Sequence, residues 1–168
     1  EEWDGQTPLE ETLRALDSLV QSGKVRYIGA SNDAAWHLMK ALGTSERTGV
    51  SRFTSQQIYY SLQARDAETE LVPVSIDQGL GILVWSPLAG GLLSGKYRRG
   101  VDAPAGSRHL REWDEPPVQD EAKLYATIEV LIEIRSAQGV SSQQIALAVI
   151  PAKPPPPSGT VGHTAHAP

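Results

Sequence analysis

Three short apolar runs, each followed by a helical pattern, constrain this chain more than any other feature. VRYIGAS has Val25, Tyr27 and Gly29 alternating with Arg26 and Ile28, and Phe53 to Tyr60 reads as a second strand. The third, GILVWSPL, holds the continuous run Ile82 to Trp85, which fits a strand buried on both faces. Strands that alternate with helices imply βαβ crossovers and a parallel sheet.

The helices carry their own punctuation. Thr7-Pro8-Leu9-Glu10 reads as a helix start, with Thr7 as N-cap, Pro8 in the first helical position and Glu10 closing a capping box. Leu9, Leu13, Leu16 and Val20 then recur at helical spacing, and Gly23 supplies the C-terminal cap. Asn32 or Asp33 caps a second helix through Leu42, with Trp36, Met39 and Leu42 on one face and Gly43 at its end. A third helix spans about Asp66 to Gln78, with Pro73 interrupting its regularity. Residues 98–118 read as a long loop. A helix from Asp120 to Gln138 carries Leu124, Ile128, Leu131 and Ile134, and Ser141-x-x-Gln144 caps a last short helix to Ile150.

Three parallel strands make a thin sheet with two open edges, an uncomfortable complete domain that points to a piece of something larger and to self-association through those edges. Six of the 12 prolines lie at or after position 151, four of them consecutive, and that stretch has no apolar period. Residues 1–150 are therefore expected to form the folded portion, and residues 151–168 a disordered, Pro-rich tail or a ligand for a partner domain. His163 and His166 on that tail are weak evidence for a metal site. A formal charge of −5 argues against a nucleic-acid binder working through a basic face. No apolar run approaches the roughly 18 to 20 residues of a membrane span. The absence of cysteine removes thiolate chemistry and fits a reducing, cytoplasmic setting.

Polar residues gather where the strands end: Ser31 and Asn32 after the first, Gln57 in the second, and Trp85 with Ser86, Pro87, Leu88, Ala89, Gly90 and Gly91 at the third. In parallel α/β folds the carboxyl ends of strands converge on the ligand site. Each piece also has a plainer reading: Ser31-Asn32 as a helix cap, Gln57 as a satisfied strand residue, Trp85 as a core aromatic, Gly90-Gly91 as a turn, and Lys96 and Arg108 as surface charges. Together at successive strand ends they favour a cofactor site. No G-x-S-x-G elbow is present, which sets aside a small hydrolase.

The runs TPLEETLRALDSLVQSGKVRYIGASN, FTSQQIYYSLQARDAETELVP and GILVWSPLAGGLLSGKY resemble the second half of aldo-keto reductases, especially the branch with bacterial reductases and potassium-channel β-subunits. The resemblance runs from about Trp3 to Ile150. It implies a partial (β/α)8 TIM barrel whose three strands are the fifth, sixth and seventh, and an NADP(H)-dependent reduction of small aldehydes and ketones. It further implies that Ser31, Asn32 and Gln57 hold the nicotinamide carboxamide and that Trp85 stacks on the nicotinamide ring. Ser86 to Gly91 would then wrap the pyrophosphate, and Lys96 and Arg108 would meet the adenosine phosphates.

Departures from the family pattern limit what the resemblance implies. The family's catalytic aspartate, tyrosine and lysine belong to earlier strands, and none of Tyr27, Tyr59, Tyr60, Tyr97 and Tyr125 matches the proton donor. Glu1 stands where the family has a carbonyl-orienting histidine. Past Ala148 the family's eighth strand and its glycine-arginine segment are replaced by the proline-rich stretch, as a change of reading frame or a gene-model error would produce. The sequence therefore predicts a truncated chain that keeps part of a cofactor site and is inactive alone. A non-catalytic NADP-binding or interaction module, and a truncation product without function, remain the alternatives.

Overall fold

The computed structural model describes residues 3–107, 118 and 120–152. Arg108, Glu1 and the stretch from residue 153 lie outside the described residues. The chain divides into two compact units: residues up to Ile58 together with Asp66–Val84, and Tyr59–Arg65 together with the described residues from Trp85 onward.

The first unit is a parallel α/β layer. Its order is α1 (Leu9–Gln21), β1 (Ile28–Ser31), α2 (Ala35–Thr48), β2 (Phe53–Tyr59), a 3₁₀ turn (Asp66–Glu68), α3 (Leu71–Gln78) and β3 (Gly81–Trp85). The sheet order is β1-β2-β3, with β1 parallel to β2, so α2 and α3 are the crossovers that the alternation predicted. Tyr59 and Trp85, the last residues of β2 and β3, group with the second unit. The core joins Leu9 and Leu13 of α1, Ile28 and Ala30 of β1, Leu38, Ala41 and Leu42 of α2, Phe53 and Leu80. Each leucine buried there contributes about 1.5–3 kcal/mol relative to exposure.

The local signals were read correctly at some ends and not at others. Gly23 adopts φ +71, and the amides of Gly23 and Lys24 bond back to Val20 and Leu19, a glycine-terminated helix end. The Thr7 capping box does not form. Pro8 occupies the N-cap without a side-chain bond, and Asp4 takes up Thr7 instead, accepting from the Thr7 hydroxyl at 2.6 Å and from the amides of Thr7 and Gln6 at 2.8 and 2.9 Å. Pro73 sits in the third position of α3, where its missing N–H would have no helical partner anyway.

Two faces differ from expectation. β1 begins only at Ile28, and Ile28 and Ala30 are its buried residues; Tyr27 is 76% exposed, because Lys24 and Val25 still belong to the turn that closes α1. In α2 the buried side is His37, Leu38, Ala41, Leu42, Thr44 and Ser45, while Trp36 is 60% exposed and Met39 also faces solvent. Of the three residues expected on one face only Leu42 is buried, beside Leu38 one turn earlier. The helix runs through Gly43 and ends at Gly49 with φ +70. β3 buries Ile82 and Val84 but leaves Leu83 38% exposed, so it is covered fully on one face only.

The second unit packs a 3₁₀ segment (Ala89–Ser94) against α4 (Glu121–Gln138) and α5 (Ser142–Ala152). Its core holds Leu92, Leu93, Tyr97, Leu124, Ile128, Leu131 and Ala146. The expected Ser141 cap forms here, and Asp120 caps α4. Asp120 accepts from the Lys123 amide at 2.9 Å, and Ser141 and Gln144 exchange side chain for backbone at 3.2 and 2.8 Å. α5 continues to Ala152, two residues beyond the expected Ile150.

Asp4 carries a pH prediction. Its hydrogen bonds, first that from the Thr7 hydroxyl, hold its pKa at about 2 against an ordinary 3.8. A carboxylate depressed on folding adds stability above its unfolded pKa and loses it as pH falls through the folded one. Asp4→Ala should lower the melting temperature at neutral pH, and the difference from the unsubstituted chain should vanish on acidification through 3.8 to about 2. Thermal melts of both chains across that range check it.

Candidate functional site

The expected site residues fall into two groups, each described within its own unit. In the first unit, β1 and β2 run side by side so that Ser31 is the register partner of Gln57. The Asn32 amide then donates to the Gln57 carbonyl at 3.0 Å, extending the ladder one residue beyond β1. Asn32 does this at φ +53, a left-handed conformation that asparagine tolerates better than most residues. Strand alternation separates the two adjacent glutamines. Gln56 is buried, its amide donating to the Leu71 carbonyl at 2.8 Å and to the Ser75 hydroxyl, whereas Gln57 faces solvent on the opposite side of the sheet. Ser31, Asn32 and Gln57 are thus brought together as three neutral hydrogen-bonding side chains at adjacent strand ends.

In the second unit, Trp85 is stacked on Tyr59, with ring centroids 4.7 Å apart and planes 28° from parallel. Gln63 holds Tyr59 by donating to its hydroxyl at 2.8 Å. Tyr59 and Gln63 were not singled out from the sequence. The signal was present, since Tyr59 lies two residues after Gln57 and strand alternation puts both on one face.

The turn after Trp85 is unusually contorted. Ser86 and Ala89 have φ of +50 and +51, and Gly90 and Gly91 have φ of +64 and +95, which glycine adopts freely. It is also bonded to itself. The Ala89 amide donates to the Ser86 carbonyl at 2.8 Å, Gly90 to the Ser86 hydroxyl at 2.9 Å and Gly91 to the Leu88 carbonyl at 3.0 Å. Lys96 lies across it, its Nζ 3.7 Å from where a Cβ on Gly91 would stand. The amides of Ala89, Gly90 and Gly91 are therefore engaged within the turn, and Lys96 Nζ also lies 5.1 Å from the Tyr97 ring centroid. Pro87 has no amide hydrogen to offer. Of the neighbouring cations, Arg98 is bound to Glu129 at 2.7 and 2.8 Å and Arg99 lies over the Tyr125 ring.

A third cluster, in the first unit, was not anticipated. Asp33, a candidate cap of α2 alongside Asn32, forms a buried pair with His37, whose Nδ1 lies 3.0 Å from Asp33 Oδ1. Burial pushes the Asp33 carboxyl above its ordinary pKa, opposed chiefly by His37. The Trp3 indole stacks on His37 at 4.2 Å and 18°. Asp33, His37 and Trp3 line a small cavity of about 90 Å³ together with Asp4, Thr7 and Phe53. The D-x-x-x-H spacing, which places both side chains on one side of a helix start, was the only local trace of it.

The first unit is thus a parallel α/β layer with uncharged hydrogen-bonding side chains, Ser31 and Gln57, as register partners on β1 and β2. The chain belongs to the aldo/keto reductase family, whose model matches residues 1–161. It is 45% identical over 111 residues to the uncharacterized oxidoreductase YrpG of Bacillus subtilis, an alignment covering 66% of this chain and 33% of that protein. It is 35% identical over 151 residues to the versiconal hemiacetal acetate reductase of Aspergillus parasiticus (86% and 42%). It is 37% identical over 110 residues to a probable voltage-gated potassium channel subunit beta of Arabidopsis thaliana (65% and 33%). The chain spans 33% to 42% of the length of these relatives. Its sheet and crossover helices are consistent with part of an aldo-keto reductase barrel. Among the described residues no helix is long and apolar enough to cross a membrane.

Proposed function

We propose that this chain is the cofactor-holding part of an NADPH-dependent aldo-keto reductase that reduces small aldehydes or ketones in the cytoplasm, and that β1, β2 and β3 are the fifth, sixth and seventh strands of its barrel. The observation that carries the reading is the Ser31–Gln57 register at adjacent strand ends, with the Asn32 amide anchored on Gln57. An amide such as the nicotinamide carboxamide needs one acceptor and one donor held at fixed spacing, and neutral serine, asparagine and glutamine side chains supply both. Trp85, backed by Tyr59, offers an aromatic surface for a flat ring, and Lys96 with Ser86 suits a phosphate. Arg108, outside the described residues, is assigned the 2′-phosphate in this reading. NADPH, when bound, would supply the hydride; the chain's own residues bind and orient it. Sheet edges β1 and β3 are assigned to pairing with further strands or with a second copy.

The likeness to a channel β-subunit favours a second reading, a non-catalytic nucleotide-binding module. Both readings require that this chain bind the nucleotide. Titration of the 168-residue chain with NADPH should quench tryptophan fluorescence saturably. Trp85→Leu should remove most of the quench, and Gln57→Leu should weaken affinity about tenfold, the worth of one or two hydrogen bonds. A flat titration would remove the nucleotide reading altogether.

A further inference from the structure

Asp33 follows the Ser31–Asn32 pair directly in sequence, and its buried carboxylate belongs to no part of the apolar core. Burying a carboxylate opposes folding unless its hydrogen bonds are met. Here the carboxylate is met by His37 Nδ1 of α2 at 3.0 Å. The Trp3 indole then closes over the His37 ring at 4.2 Å, and Trp36 meets both rings edge-on, at 6.0 Å from Trp3 and 5.3 Å from His37. Such an arrangement contributes little to the core, but it ties together three backbone segments at the point where Asn32 turns left-handed at φ +53.

We propose that Asp33 and His37, closed by Trp3, are positioning residues that hold the Ser31–Asn32 turn in the form that meets the cofactor. The turn has two anchors. On the strand side the Asn32 amide is bonded to the Gln57 carbonyl at 3.0 Å. On the helix side the anchor is the Asp33 carboxylate. A left-handed residue is strained relative to extended backbone, so releasing one anchor lets the Asn32 peptide rotate and carries the Ser31 and Asn32 side chains away from Gln57. The inference rests on the cofactor reading above, and it assigns a role to residues outside the contact set.

The test uses the full chain labelled with 5-fluorotryptophan, which gives one ¹⁹F resonance for each of its four tryptophans, assigned by single Trp→Phe substitutions. The Trp3 resonance reads the anchor, and the response of the Trp85 resonance to NADPH reads binding. In Asp33→Ala the Trp3 resonance should move to its solvent-exposed position and NADPH affinity should fall about tenfold. Asp33→Asn keeps an acceptor oxygen for His37 and should stay within about twofold of the unsubstituted chain. His37→Phe keeps the stack and loses the bond to Asp33, so it carries the test if Asp33→Ala does not fold; its affinity should also fall. Trp3 released with affinity unchanged would overturn the inference alone. Affinity that tracks the melting temperature equally in Asp33→Ala and Asp33→Asn would reduce the pair to a structural role. A Trp85 resonance unmoved by NADPH in the unsubstituted chain would overturn the cofactor reading and the inference with it.

Discussion

Gly29→Ala should destabilise the chain by about 1–3 kcal/mol, the cost of forcing extra atoms into a packed interior. Gly29 lies in β1 opposite Ser55, its register partner in β2. A Cβ built there stands 2.6 Å from the Ser55 hydroxyl oxygen and 3.0 Å from the Ser55 carbonyl oxygen. The hydroxyl can rotate away, but the carbonyl is sheet backbone, so β1 must move off β2. The ladder is already irregular between Ile28 and Gly29 and has little further room to adjust. That movement also breaks the Ser31–Gln57 register two residues on, so NADPH affinity should fall with stability. Gly43→Ala provides the opposite case. Gly43 lies inside α2, and a Cβ there meets nothing within 4 Å. Alanine in a helix interior is favoured over glycine by roughly 0.5–1 kcal/mol, so this variant should be more stable. Urea unfolding of both variants decides the matter: opposite signs are expected, and a neutral Gly29→Ala would show that β1 and β2 are not closely paired there.

The 168-residue polypeptide should show no NADPH oxidation above a no-protein control with a reactive aldehyde such as 4-nitrobenzaldehyde. Carbonyl reduction needs an acid to protonate the developing alkoxide, and a positioned acid contributes roughly 10²–10⁴-fold. The tyrosines of this chain are placed otherwise. Tyr59 is stacked on Trp85 and bonded to Gln63, Tyr60 and Tyr97 are buried, Tyr125 lies under Arg99, and Tyr27 stands exposed before β1. His37, the one histidine among the described residues that is buried, is engaged with Asp33. Saturable NADPH binding without turnover is the expected combination. Turnover well above the control would mean that a side chain given no such role here donates the proton.

Much of the fold was legible because it depends on nearest neighbours. The strands at Phe53–Tyr59 and Gly81–Trp85, the glycine that ends α1 and the caps of α4 and α5 all follow from residues within four positions of each other. The strand-end residues Ser31, Asn32 and Gln57 could be named for the same reason, since a strand's end is visible in its own sequence. The Thr7 cap misled because Thr7 had two possible partners and Asp4, with a charged acceptor, outcompeted the helix amides.

Local spacing thus located the strands and helices to within a few residues and named polar groups near the strand ends. It could not choose the face that becomes core. In α2 that choice went to His37, Leu38, Ala41 and Leu42 over Trp36 and Met39. Nor could it join Trp3 to residues thirty positions away: the Asp33–His37 pair is a helix-spaced coincidence until folding lays the Trp3 indole over His37. Periodicity fixes directions along one segment, whereas burial depends on which other segment arrives, and that is a property of the packed chain alone.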